Sequence, residues 1–283
     1  MKKEKNPGEK LTKREIARRV LFWIFLCVFV VAVLKLGHIG YTYWKNNRGY
    51  EDLRQQAQLS SSADPDETPA GGTKEGTPEQ SGTPEETKKE REDILPPGSN
   101  GVDHDFLKMM NDHYIGYIVI PGTEVDYPVV RGDDNSHYLR YDYYEKESIS
   151  GCPFLDCRQA ADFSDFNSTI CAHNQKDKKM FGTLDRYRTK EFWEANPYVY
   201  IMTPNGNYRY KIFSVYDQYY VDVIFSPHFP TETSKKELID LALERSIYKT
   251  DVEVKTTDHI LTLYTCTEDT DVRFVVQAVC ENY

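Results

Sequence analysis

Fifteen consecutive residues, Val20 to Leu34, carry no charge and are almost entirely apolar, and they follow directly on Arg18-Arg19. Such a run constrains the chain more than any other feature. Extended to about Ile39, with the long Lys35 side chain reaching for the interface, it supplies the roughly 20 residues that cross a bilayer core. Tyr41, Tyr43 and Trp44 would then sit in the interfacial belt on the far side. Residues 1–19 hold eight basic and three acidic side chains, and the remaining residues hold 27 basic against 42 acidic. The positive flank predicts a cytoplasmic N-terminus with everything after about residue 45 outside. A cleaved signal peptide has the same charged and apolar regions, but no A-x-A-like site follows the run, which favours an uncleaved anchor. An acidic body with no clustered basic face argues against nucleic acid as a partner.

From about Glu51 to Asn100 large apolar residues become rare, and Ser, Thr, Pro, Gly, Glu and Lys take over, as in Gly76-Thr77-Pro78-Glu79 and its near-repeat Gly82-Thr83-Pro84-Glu85. A segment of this kind buries too little apolar area to offset its ordering entropy. The expected organisation is therefore a basic cytoplasmic tail at 1–19, a membrane anchor at 20–39, a disordered extracellular linker at 40–100 and one folded domain at 101–283.

In the folded part, short strands bounded by turn residues dominate. Tyr114 to Ile120 ends at Pro121-Gly122, and Val125 to Val130 ends at Arg131-Gly132-Asp133-Asp134. Tyr198 to Thr203 and Tyr208 to Tyr216 flank Pro204-Asn205-Gly206-Asn207, a hairpin signal. His259 to Cys266 and Arg273 to Cys280 form a second candidate pair. Ser234 with Glu237 three later reads as a capping box opening a helix with Leu238, Leu241 and Ala242 on its apolar stripe. A short helix is expected around Asp103 to Asp112. The pattern predicts a mainly β domain, sandwich or barrel, with a few helices.

The seven histidines are scattered, no paired C-x-x-C or H-x-x-x-H occurs, and no glycine-rich loop has phosphate-binding spacing. Neither a metal site nor a cofactor is expected. Cys152, Cys157, Cys171 and Cys280 read as small buried side chains; a Cys152–Cys157 disulfide stays open in an exported protein. The C-terminal strand pair is different. One strand ends at Cys266 and the next begins at Arg273, so a hairpin brings the two together at one end of the sheet. A free thiol near pKa ~8.5 is only slightly ionised at neutral pH, so a nucleophilic cysteine needs a cation or a base beside it. Arg273 offers a permanent charge and several donors suited to an oxyanion. His173, at the end of the predicted strand Ser168-Thr169-Ile170-Cys171-Ala172-His173, is the best candidate base.

Thr262-Leu263-Tyr264-Thr265-Cys266, with Arg273-Phe274-Val275-Val276 after it, resembles the T-L-x-T-C signature and following arginine of the sortases, membrane-anchored cysteine transpeptidases of Gram-positive bacteria. Tyr114-Ile115-Gly116-Tyr117-Ile118, Ile120-Pro121-Gly122-Thr123, Asp126-Tyr127-Pro128-Val129-Val130, His173-Asn174 with Met180-Phe181-Gly182, and Ile212-Phe213-Ser214-Val215-Tyr216 resemble class B sortases in particular. The resemblance implies an eight-stranded sortase β-barrel behind one transmembrane helix. It implies Cys266 as nucleophile, His173 as general acid/base and Arg273 as the group that positions substrate and stabilises the oxyanion. Asn135, Leu139, Ile224 and Phe225 fall where such enzymes line the peptide groove. The implied partners are secreted proteins with a C-terminal sorting signal, and an amine of peptidoglycan or of a pilin as acceptor. Ala172 stands where Gly usually precedes the histidine. Tyr264 stands where a small Ser is common, which would narrow or reshape the pocket.

Two other readings compete. An L,D-transpeptidase or papain-like cell-wall peptidase is also an exported cysteine enzyme, but the former wants a compact H-G-x-Cys-x-Arg block, whereas His173 and Cys266 are 93 residues apart. A non-catalytic stalked surface protein would form no acyl-enzyme and would not depend on Cys266.

Overall fold

The computed structural model describes residues 13–61, 94–219, 223–266 and 272–283. The first twelve residues of the basic tail and residues 62–93 of the expected linker lie outside the described residues. The chain divides into two compact units, Met1–Asn46 and Asn47–Tyr283.

A single helix, α1 (Lys13–Ser61), holds the apolar run. It contains a window of mean hydropathy 2.7 with none of its surface buried, and is long and apolar enough to cross a membrane. Phe22, Trp23, Phe25 and Phe29 are each more than 60 % exposed, an arrangement that water penalises and lipid does not.

The structure corrects the linker expectation over residues 47–61. These continue the helix and belong to the second unit, where Tyr50, Leu53 and Ala57 are buried. The three recur at helical spacing along one face. A polar average taken over the fifty residues from Glu51 concealed this short stripe. At the end of the described helix, the Ala57 carbonyl accepts the Asp103 N–H at 3.0 Å.

A short helix follows, α2 (His104–Met110), capped by the Asp103 carboxylate on the Phe106 N–H at 2.8 Å. Eight strands then close into a barrel: β1 (Tyr114–Val119), β2 (Asp126–Val130), β3 (Phe154–Leu155), β4 (Asn167–His173), β5 (Tyr198–Thr203), β6 (Gly206–Tyr219), β7 (Ile260–Cys266) and β8 (Val272–Cys280). Their order around the barrel is β1-β2-β3-β4-β7-β8-β6-β5. The pairs β2/β3 and β4/β7 are parallel and the other six antiparallel. Closure leaves no unpaired sheet edge. Between β4 and β5 lie a 3-10 segment, Phe181–Arg188, and α3 (Lys190–Ala195), and α4 (Glu232–Arg245) follows β6.

The expected fold class, mainly β with a few helices in an eight-stranded barrel behind one long apolar helix, is the one observed. Two local expectations need correction. Strand β6 starts at Gly206, not Tyr208, because the hairpin turn is tighter than the four residues allotted to it. The capping box of α4 is Thr231 with Ser234: the Thr231 hydroxyl accepts the Ser234 N–H at 3.1 Å, and the Ser234 hydroxyl accepts the Thr231 N–H at 3.2 Å. Ser234 is thus the third helical residue, since Thr231 keeps the extended backbone that a cap requires.

A buried polar chain crosses four adjacent strands. Tyr216 donates to Gln277 Oε1 (2.9 Å), Gln277 Nε2 donates to the Thr262 hydroxyl (2.9 Å), and Thr262 donates to Asn167 Oδ1 (2.6 Å). It ties β6, β8, β7 and β4 together inside the core, with every link satisfied.

Candidate active site

Three of the same four strands carry the residues expected to react. The parallel register of β4 and β7 pairs His173 with Cys266, each the last residue of its strand. The antiparallel register of β7 and β8 pairs Leu263 with Val276 and Tyr264 with Val275, and the Phe274 N–H then goes to the Thr265 hydroxyl at 3.2 Å. Arg273 in turn pairs with Gln218 of β6. The backbones of His173 and Cys266 therefore stand side by side, about 4.8 Å apart, and Arg273 lies at the same end of the barrel, at the start of the next strand. The sequence reading had joined Cys266 and Arg273 through the hairpin. It had no means of bringing in His173, which arrives through a parallel pairing across 93 residues.

His173 is half-buried, and its Nε2 lies 2.7 Å from the Leu139 carbonyl oxygen. A carbonyl only accepts, so Nε2 is the protonated nitrogen. Leu139 closes a 3-10 turn, His137–Leu139, whose entry is fixed by Asp134. The Asp134 carboxylate accepts the Ser136 N–H (2.6 Å), the Ser136 hydroxyl (2.7 Å) and the His137 N–H (2.8 Å). The hydrogen bonds from Ser136 hold its pKa below the usual range. Tyr138, buried in the same turn, shares its hydroxyl with Glu145, Asn111 and His113.

The turn meets Gly151 on its other side. Gly151 has φ +60°, and a Cβ placed there would lie 2.4 Å from the Tyr138 carbonyl oxygen, 3.3 Å from that of Leu139 and 3.2 Å from His173 Cδ2. Only glycine fits. The adjoining Cys152 N–H then reaches the Tyr138 carbonyl at 2.9 Å. Gly151 therefore wedges the turn against the imidazole. Sequence reasoning missed it: the sole signal was a Ser-Gly step, which marks turns in general.

Of the four expected groove residues, Leu139 serves the site through its carbonyl, as just described. Asn135 is engaged in the fold, its Oδ1 accepting the Cys157 N–H at 2.8 Å. Ile224 is fully buried, with its carbonyl 3.5 Å from the Asn167 amide nitrogen. Phe225 is half-buried and meets Tyr264 edge to face, ring centroids 5.0 Å apart. Tyr264 thus fills space two residues before Cys266, as the departure from a small side chain suggested. Arg158 braces this corner, bridging the Asp156 carboxylate and the Phe225 carbonyl.

Cys152 and Cys157 are free thiols, so the open disulfide between them is absent. Burial pushes the Cys152 thiol well up from its ordinary range, which makes it inert. Cys171, read as a structural thiol, is buried and disulfide-bonded. Among the described residues no three His, Cys, Asp or Glu side chains gather to hold a metal ion.

A family model described as the sortase domain matches residues 118–281. Sortase B of Listeria monocytogenes is 34% identical over 178 residues, covering 60% of this chain and 71% of that protein. The crystal structure of sortase B from Clostridium perfringens superposes with a TM-score of 0.59 at 30% identity, covering 63% of this chain and 99% of that one. A sortase B–substrate complex from Staphylococcus aureus shares the fold over 85% of this chain and 98% of its own, with a TM-score of 0.67 at 23% identity.

Proposed function

The chain belongs to the sortase family as a class B member, a cysteine transpeptidase acting on proteins that bear a sorting signal, and from that premise we propose that Cys266, His173 and Arg273 carry the reaction. The observation that supports this assignment is the register that pairs His173 with Cys266 at the ends of parallel strands.

In this reading, the Cys266 thiol gives its proton to His173 as its sulfur attacks the carbonyl carbon of the Thr-Gly or equivalent peptide bond of the signal. The carbonyl becomes an oxyanion, which the Arg273 guanidinium stabilises by charge and hydrogen bonding. The C–N bond then breaks, and His173 gives its proton to the departing amine, leaving a thioester on Cys266. An acceptor amine attacks the thioester carbonyl and loses a proton to His173. The thiolate leaves, and a new amide bond joins the secreted protein to its acceptor. The acceptor amine belongs to peptidoglycan or to a pilin lysine. The basic residues flanking the apolar part of α1 support a cytoplasmic N-terminus with the barrel outside, where secreted substrates emerge.

Intact-mass spectrometry tests the proposal. The protein is incubated with an x-P-x-T-x peptide library and then with different amines. We expect a thioester adduct that the amine releases as a longer peptide. The adduct disappears in Cys266→Ala and accumulates slowly in His173→Ala. Undiminished turnover in Cys266→Ala would overturn the assignment, and the identity of the productive amine distinguishes wall anchoring from pilus assembly.

A further inference from the structure

The end of α1 reaches the turn that holds His173. Tyr50 is buried, and its hydroxyl donates to the Gly151 carbonyl at 2.6 Å while accepting the Tyr143 N–H at 3.2 Å. Those two backbone groups belong to the middle and the end of the loop between β2 and β3, so a single phenol clasps the two parts together. Gly151 is the residue at which any side chain would crowd both the Leu139 carbonyl and the His173 ring, a Cβ there lying 3.3 Å and 3.2 Å from them. Only one residue thus stands between a tyrosine of the N-terminal helix and the imidazole.

Other contacts hold the helix in place for this. Arg54 forms an ion pair with Asp126 (2.9 Å) and donates to its carbonyl (3.0 Å), and the Tyr50 ring meets Tyr127 edge to face at 5.3 Å. Leu53, on the same face as Tyr50, is 1 % exposed. Burial also keeps the Tyr50 phenol neutral, so it remains a donor across the ordinary pH range.

We propose that Tyr50 is a positioning residue for the transpeptidation, acting through Gly151 on the Leu139 carbonyl that orients His173, so that the segment following the apolar part of α1 is a working part of the active site. The inference rests on the assignment of His173 made above. Without the phenol, the Gly151 carbonyl and the Tyr143 N–H lose their buried partner, and the loop relaxes toward other ways of satisfying them. The Leu139 carbonyl shifts with it, and the imidazole loses the hydrogen bond that sets its tautomer and direction.

The test uses the full chain in detergent micelles and compares Tyr50→Phe, Trp193→Phe and His173→Ala. Tyr50→Phe keeps the ring and removes one oxygen. Its kcat should fall about fivefold with KM within about twofold, because geometry at the reacting atoms is lost and peptide binding is not. Its pH–rate profile should also shift on the limb that reports the histidine. Trp193→Phe likewise removes one buried donor, the indole N–H that reaches the Ile212 carbonyl at 2.9 Å, outside the clasp, and should lower the unfolding temperature while leaving kcat and the pH profile near those of the parent. If Tyr50→Phe keeps the parental kcat and pH profile, or if Trp193→Phe loses kcat as severely, the positioning role is refuted. Full turnover in His173→Ala would instead refute the histidine assignment, whatever Tyr50 does.

Discussion

Replacing Gly151 with alanine tests the wedge beside the imidazole, and its cost divides into two parts that a second glycine separates. Gly151 and Gly98 both have positive φ, +60° and +77°. A methyl group at Gly98 meets nothing within 4 Å, whereas at Gly151 it would sit 2.4 Å from a backbone carbonyl oxygen and 3.2 Å from the His173 ring. Gly98→Ala therefore carries the left-handed backbone penalty alone, about 1 kcal/mol. Gly151→Ala adds an overlap of roughly 1 Å with a backbone atom that cannot rotate away, which raises the total to about 3 kcal/mol. For a domain of this size, 1 kcal/mol lowers the unfolding temperature by about 2–4 °C, so drops of about 3 °C and about 9 °C are expected. Differential scanning calorimetry measures both. The acylation rate, followed by intact mass at a temperature where both variants are folded, should be unchanged in Gly98→Ala and reduced tenfold or more in Gly151→Ala, as the ring is displaced. Equal stability losses in the two variants, or a parental acylation rate in Gly151→Ala, would refute the wedge.

Four further outcomes are expected. Burial lowers the pKa of His104, whose Nδ1 lies 2.7 Å from the Tyr114 hydroxyl. The unfolded chain therefore binds this proton more readily, the stability contribution is complete above the unfolded value near 6.5, and it is lost as pH falls through the lowered folded value; urea unfolding between pH 7.5 and 5 should show the loss, and His104→Gln should flatten it. Phe225→Ala removes the ring that meets Tyr264 edge to face and should raise KM for a preferred peptide several-fold, with acylation at saturation within about threefold, if the ring borders the peptide and not the reacting atoms. Gln277→Leu breaks the polar chain at two links and should cost about 2–4 kcal/mol in chemical denaturation, since Tyr216 and Thr262 both lose a buried partner. Cys171 is disulfide-bonded and lies two residues before the His173–Cys266 pairing; a dithiol reductant should raise the initial rate of air-purified enzyme, and Cys171→Ala should abolish that response.

The strands at Tyr114, Asp126 and Tyr198 were legible because runs rich in β-branched and aromatic residues end at Pro-Gly, Arg-Gly-Asp or Asn-Gly steps, and that information is local. So was the meeting of Cys266 with Arg273, which a short hairpin connection enforces. His173 was identifiable only by type and by its place at a strand end, because parallel pairing leaves no mark on either strand separately. Tyr50 was lost for another reason. Its stripe is three residues long and lies beside a polar tract, so any window wide enough to detect the tract erases the stripe. Gly151 was invisible because its demand comes from atoms of Tyr138 and His173, and neither is a sequence neighbour.

The chain of Tyr216, Gln277, Thr262 and Asn167 has a consequence for how the barrel tolerates change. Its links span four strands at one level, so it works as an alignment pin. If β7 slipped by one residue, Thr262 would leave the level of Gln277 and Asn167, and several buried polar groups would lose their partners at once. The combined cost, of order 5 kcal/mol, keeps the slipped arrangement below about one molecule in a thousand. Connections other than the one between β2 and β3, which bears on the His173 ring, are then free to lengthen or change composition without moving the backbones of His173, Cys266 and Arg273 out of step. Substrate preference can drift in those connections while the row proposed to react stays in register, held by a buried hydrogen-bonded chain.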